Sequence, residues 1–208
     1  MSLSSFIAPR SHLLQQYTSC RTMFLCCDIQ EKLRKRIPKF NNAVVVSNLM
    51  ADFHDVLTPK YATFVATEHA PELAGPFVKD IRLPAGTHIM TKYQPSMLLP
   101  DVSSLLEGDE AKGVLPVRQA VLWGHESHVC ILHTADALLQ RNIRVAVLVD
   151  GCAAQHAIDH EAAVQTMASW DGLTLSTIES VVMQLTQNDH AMVKDLWKLL
   201  RTRREQLA

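Results

Sequence analysis

No apolar run in this chain approaches the roughly 18 consecutive residues that a bilayer-spanning helix needs, so such a helix is not expected. Nor does one sign of charge prevail. Twenty Lys and Arg stand against 21 Asp and Glu, a net charge of −1. That balance argues against a polyanionic partner, because nucleic-acid-binding domains concentrate positive charge. A disulfide framework is also lacking. The five cysteines (Cys20, Cys26, Cys27, Cys130, Cys152) are odd in number and include an adjacent pair, which fits a reducing compartment better than a secreted one. No internal repeat or low-complexity tract is present. What remains, 48% apolar and 20% charged residues over 208 positions, is the balance of a globular chain able to bury its own core in one domain.

Short apolar strands alternate with amphipathic helices. Strands are predicted over Met23–Ile29, Thr63–Thr67, His88–Thr91, Ala120–Trp123, Arg144–Val149 and Leu173–Thr177. A helix is predicted over Asn42–Leu57, where Val46, Leu49, Met50, Phe53 and Leu57 share one face and Pro59 ends the run. Others fall over Ile131–Gln140, Ile158–Ser169 and Met192–Arg201, the last with a buried stripe of Val193, Leu196, Trp197 and Leu200. Strands apolar throughout and separated by helices indicate a parallel sheet covered on both faces. The expected fold is therefore a single-domain, Rossmann-like three-layer α/β sandwich of about six strands. It would span residues 22–208, after an N-terminal extension over residues 1–21. That extension holds Arg10, Arg21 and five serines but no acidic residue. Its composition is compatible with mitochondrial import; the expectation is a segment packed on the domain of a cytoplasmic protein.

Parallel sheets bind ligands outside the carboxyl ends of their strands. Three chemically capable residues fall at such ends: Asp28, Lys92 and Cys130. Cys130 follows the run VLWGHESHVC, a strand and a polar turn, and precedes a helix whose N-terminus favours a thiolate. A thiol is mostly protonated at neutral pH and needs a base to become a strong nucleophile. Asp28 can take that proton, and a cationic Lys92 can hold both the carboxylate and the thiolate by opposite charge. Taken singly, Asp28 can equally cap a turn, Lys92 can be a surface charge and Cys130 can be core packing.

The segments FLCCDIQEKLRKRI (24–37), VATEHAPELAG (65–75), MTKYQPSM (90–97), WGHESHVCILHTADALLQRNIRVAVLVDGCAAQ (123–155) and STIESVVMQL (176–185) occur in this order. In them the chain resembles the isochorismatase-like superfamily of cysteine hydrolases, most closely its isochorismatase-domain-containing branch. The GHESHVC element with its following helix is the most specific of these. The resemblance implies a triad with Asp28 as base, Lys92 as charge stabiliser and Cys130 as nucleophile. It also implies a non-proline cis peptide between His125 and Glu126, with an oxyanion hole built from the N–H groups of Glu126 and Cys130. Superfamily members hydrolyse small amides, carbamoyl and ureido compounds, and true isochorismatases cleave a vinyl ether, so the fold does not dictate one reaction.

The chain departs from part of that pattern. Nicotinamidases of this superfamily hold a metal with an Asp-x-His-Pro stretch and a later histidine. Here the corresponding segment reads Thr67-Glu68-His69-Ala70-Pro71, an incomplete ligand set, so no metal and no cofactor are expected. Asp52 and His54 stand two apart within a helix, where they face different directions; both are expected at the solvent face. His69, Tyr93 and Trp123 are candidate substrate contacts, and His125 can also point at the substrate. Cys26 and Cys27 alternate across the first strand and are expected to pack under helices. Cys152 is expected to pack in the core or the pocket wall. Lys198, Arg201, Arg203 and Arg204 read as a solvated helix end. The leading functional expectation is a thiol-dependent hydrolase of a small carbon–nitrogen compound, a homodimer or homotetramer with neither nucleic acid nor membrane as partner. A catalytically idle scaffold of the same fold is the alternative, and a nuclease or RNA-associated role a more distant one.

Overall fold

The computed structural model describes residues 13–57, 60–187 and 189–207. The helix stop expected at Pro59, and residues 1–12 of the N-terminal extension, lie outside them. Six strands form one parallel sheet: β1 (Arg21–Cys27), β2 (Ala62–His69), β3 (His88–Lys92), β4 (Val117–His125), β5 (Arg144–Ala153) and β6 (Leu173–Ser176). Their order is β3-β2-β1-β4-β5-β6. The direction of winding reverses between β1 and β4, so their carboxyl ends open a crevice suited to ligands. Each strand begins or ends within a few residues of its sequence-derived bounds. Most run longer than expected, because polar residues such as Gln119 and Glu68 extend the ladders.

Alternation along the strands sorts the core into two layers. Phe24, Cys26, Phe64, Val121 and Trp123 face α1 (Phe40–Leu57), α6 (Ile178–Thr186) and α7 (Val193–Gln206). Met23, Leu25, Cys27, Ala120 and Leu122 face the layer formed by α3 (Pro100–Ser104), α4 (Leu132–Leu139) and α5 (Ala157–Met167). The short α2 (Pro71–Ala74) follows β2. The described part of the N-terminal extension packs on this body: Leu14 is buried and its N–H donates to Gln184 Oε1 at 3.0 Å.

Three expectations about packing need correction. Trp123 does not face a ligand cleft; it is fully buried and donates from Nε1 to Ser47 Oγ at 2.8 Å. Trp197 is not part of the buried stripe of α7. It is 61% exposed, and Leu196, Leu199 and Leu200 carry the stripe instead; one position along a helix is a turn of about 100°. His54 is buried rather than solvent-facing, with its ring edge-on to Phe24 and Phe64 at centroid distances of 6.2 and 5.8 Å. It shares the wide sheet-facing side of α1 with Met50 and Phe53. Asp52, on the outer side, pairs with Arg82 at 2.7 Å.

The crevice depends on two backbone features. Gly124 adopts φ +120°, and a Cβ there would lie 2.0 Å from the Cys27 carbonyl oxygen, so only glycine permits β4 to run this close to β1. On the other side, β4 and β5 lose register. Leu122 pairs with Val147, but Gly124 pairs with Cys152. The extra residues of β5 bow out and leave space at its carboxyl end.

Candidate active site

The crevice is assembled from the ends of β1, β2, β3 and β4. Asp28 follows β1 at φ 50°, and its N–H donates to the Thr67 carbonyl at 3.0 Å, carrying the β1–β2 ladder one step past the strand. The side chain is thereby held below the surface. Its Oδ1 accepts from Thr67 Oγ1 at 2.8 Å and its Oδ2 from Lys92 Nζ at 2.7 Å. Two residues on, buried Gln30 accepts the His69 N–H at 2.8 Å and donates to the carbonyls of His69 and Gly75 at 3.1 and 2.6 Å. A side-chain amide thus takes the part of a peptide group where β1 has ended.

Lys92, the last residue of β3, is buried. Besides Asp28, its Nζ lies 3.2 Å from Cys130 Sγ, 3.3 Å from His69 Nδ1, and 3.2 and 3.0 Å from the carbonyls of Gln94 and Pro95. Burial works against the ammonium. The negative charges that Cys27, Asp28 and Cys130 can carry outweigh it and push the lysine pKa above its ordinary value. Lys92 is therefore cationic at neutral pH. An ammonium facing His69 Nδ1 requires that nitrogen to accept, which leaves the proton of a neutral ring on Nε2.

Cys130 is 8% exposed and lies in a single π-helical turn, Ser127–Ile131, rather than in the first turn of the expected helix. Ile131 N–H donates to the Glu126 carbonyl five residues back, at 3.2 Å. Such insertions are frequent at functional sites. Thr134 Oγ1 donates to the Cys130 carbonyl at 2.6 Å and accepts from Met97 N–H at 3.0 Å, tying this turn to the loop after β3. The His125–Glu126 peptide is cis. Gln155 clasps the Glu126 carboxylate with its backbone N–H at 2.7 Å and its side-chain amide at 2.9 Å.

Asp28, Lys92 and Cys130, distant in sequence, meet at one point. Asp28 and Cys130 border a cavity of about 220 Å³ also lined by Gln30, His69, His125, Glu126 and Val129. Tyr93, expected as a substrate contact, is 71% exposed with its hydroxyl 3.5 Å from Glu72; adjacent to buried Lys92, it turns to the outer side of the chain. One participant was missed. Cys27 Sγ lies 3.4 Å from Asp28 Oδ2, and burial, then bonding to Cys130 and the charge of Asp28, hold its pKa well above the usual thiol value. Strand parity, which puts Cys27 on the α4 side, was the signal that could have found it. The sulfurs of Cys27 and Cys130 and an Asp28 oxygen lie within 4.8 Å of one another. Lys92, bonded to two of the three residues, already supplies a cation there.

The isochorismatase domain matches residues 22–180 of the chain. Isochorismatase domain-containing protein 2 of Rattus norvegicus is 33% identical over 195 residues, 93% of this chain and 87% of that protein. Isochorismatase domain-containing protein 1 of Salmo salar is 30% identical over 182 residues; these cover 86% of this chain but 61% of that longer relative. Among solved structures, a hypothetical protein from Trypanosoma cruzi superimposes with TM-score 0.86 at 42% identity, over 92% of this chain and 96% of that one. The MAR1 ribonuclease from Caenorhabditis elegans gives 0.78 at 28% identity, over 90% and 93%.

Proposed function

Because this chain belongs to the isochorismatase family, we propose that it is a cysteine hydrolase that cleaves a small amide, carbamoyl or ureido compound. One observation carries the reading: the Lys92 ammonium bridges the Asp28 carboxylate and the Cys130 sulfur, both of which line one cavity. Asp28 accepts the Cys130 proton as the sulfur attacks the carbonyl carbon. The carbonyl π electrons move to oxygen, and the N–H groups of Glu126 and Cys130 are assigned to that oxyanion. Collapse of the adduct breaks the carbon–nitrogen bond, and the leaving amine takes its proton from Asp28. A water molecule then gives a proton to Asp28 and its hydroxide to the thioester, and the acid leaves as the thiol regains its proton. Lys92 keeps the negative charge tolerable in a buried site throughout. His69, with a donor on Nε2, is assigned to the substrate.

The test is an untargeted metabolite turnover screen with wild type and Cys130→Ala. Loss of a metabolite in the wild-type reaction alone names substrate and nucleophile together. The likeness to a protein called a ribonuclease makes single-stranded RNA part of the same screen. RNA cleavage abolished by Cys130→Ala would replace the amide reading with a nuclease. No turnover of either kind would favour the idle scaffold. The near-neutral charge weighs against RNA, since phosphate binding rests on Lys and Arg. The homo-oligomer is part of the proposal, and light scattering measures it.

A further inference from the structure

A second cavity, of about 380 Å³, lies at the carboxyl end of β5, between the starts of α1 and α5, where β5 bows away from β4. Asn42 in the first turn of α1, Cys152 on β5 and His160 on α5 line it, with Lys39, Asp150 and Glu161 as its charged walls; Asp150 is paired with Arg203 at 3.3 Å. His125 lines this cavity and the Cys130 cavity alike. The His125 ring is 1% exposed and packs against Phe40 at a centroid distance of 4.8 Å. Among the described residues, neither of its nitrogens has a hydrogen-bond partner. Buried polar atoms are almost always paired in native folds, so a ring with two orphaned nitrogens between two cavities marks a place for a ligand.

We propose that this second cavity is the other half of the substrate site and takes a neutral group that both accepts and donates hydrogen bonds, a second carboxamide or ureido function on the molecule cleaved at Cys130. The position of the scissile bond rests on the cysteine-hydrolase reading; the recognition by His125 does not. A neutral imidazole offers one N–H and one lone pair. The two point away from each other across the ring, so one carboxamide meets one of them, as acceptor or as donor; a carboxylate can meet only the N–H, and an alkyl chain neither. Burial favours the neutral ring, pushing the His125 pKa down to about 3. The other histidine of the cavity, His160, is committed through Nδ1 to Ser127 Oγ at 2.7 Å, which fixes the wall opposite α1 to the turn that carries Cys130. Selectivity for bifunctional amides follows: the reacting end is held at Cys130 and the distal end is read at His125.

Binding to Cys130→Ala, measured by isothermal titration calorimetry, tests this without turnover. The probes are glutaramide and adipamide against pentanamide and hexanamide, their equals in chain length. Each diamide should bind roughly three- to tenfold more tightly than its monoamide, the net effect of about one hydrogen bond. Adding His125→Leu should bring that ratio to about one, while His125→Gln, with its own donor and acceptor, should keep it. Ala157→Trp narrows the same cavity from the exposed start of α5, without touching the sheet core, and should also abolish the ratio. No diamide preference in Cys130→Ala, or a preference that survives both His125→Leu and Ala157→Trp, overturns the proposal. Ammonia release by wild-type protein is read separately. Diamide binding that depends on His125 without ammonia release overturns the hydrolase reading and leaves this site standing. Release indifferent to His125 does the reverse.

Discussion

Alkylation by iodoacetamide should single out Cys130. Burial pushes Cys26 and Cys152 up to about 12, and it raises Cys20 and Cys27 as well. At pH 7.5 a thiol of that kind is ionised in about one molecule in 10⁴ or fewer, whereas an ordinary cysteine is about one-tenth ionised. For Cys26 and Cys152 the gap from an ordinary thiol is about a thousandfold before steric exclusion is added. Cys130 alone pairs an ammonium at 3.2 Å with a place on the wall of a cavity. Peptide mapping by mass spectrometry, on time courses between about pH 7 and 8, should therefore find it modified first. Lys92→Met removes the ammonium 3.2 Å from the sulfur, and the Cys130 alkylation rate should fall. The same change strands the Asp28 carboxylate in the interior, at a cost of about 3–5 kcal/mol. If the single variant melts, the double change Asp28→Asn, Lys92→Met withdraws both charges and keeps the measurement possible. Equal labelling of all five cysteines, or a Cys130 rate unchanged in a folded Lys92→Met protein, would refute the argument.

Acid should weaken the fold through His125. Its pKa is about 3 when buried, against 6.5 for the free side chain. Below pH 6.5 the unfolded chain therefore binds a proton that the folded one refuses, so stability is intact above that pH and declines as pH falls toward 3. By pH 5 the loss is about 2 kcal/mol; urea titrations at pH 7.5 and 5 should show it, and His125→Gln should remove that share. Burial lowers His54 and His160 as well, so they add to the acid sensitivity with the same sign. Trp123→Phe should cost about 1–3 kcal/mol by leaving a void and a buried Ser47 hydroxyl short of a donor, with the Cys130 alkylation rate unchanged. A changed rate would return Trp123 to the site. Gly124→Ala forces a Cβ to within 2.0 Å of the Cys27 carbonyl oxygen, and the protein should be recovered only as aggregate. Soluble, cooperatively melting Gly124→Ala protein would contradict the close approach of β1 and β4.

Period and composition made the sheet legible, because every strand except β3 and β6 carries a mostly buried run that survives in the sequence as a block of apolar letters. The meeting of Asp28, Lys92 and Cys130 was legible for a related reason: residues at the carboxyl ends of parallel strands share one edge whatever their spacing along the chain. Side-chain direction after a strand was not. Tyr93 and Lys92 are neighbours in sequence, yet one points outward and the other into the centre. Nothing in the letters distinguishes Trp123 at the end of a strand from Trp123 under a helix, until Ser47 is seen to receive its N–H. The cavity beside His125 was invisible for a different reason: it arises from a slip of register between β4 and β5, and register is a property of two strands together.

The edge strand β3 has one further consequence. Of its five residues only Lys92 is buried, and Ile89, its most apolar member, is 58% exposed. β3 pairs with β2 alone, so one cation and its five partners rivet a strip of backbone that in other sheets would be anchored by grease. Without that lysine the ladder to β2 would be left to hold the strip, and its fraying would uncover the N–H and C=O groups of Val65–His69, a template for another chain to zip onto. A descendant of this protein that had abandoned catalysis would still gain a better-anchored sheet margin from the lysine. Its presence in a relative therefore testifies to an intact margin of the sheet before it testifies to an enzyme.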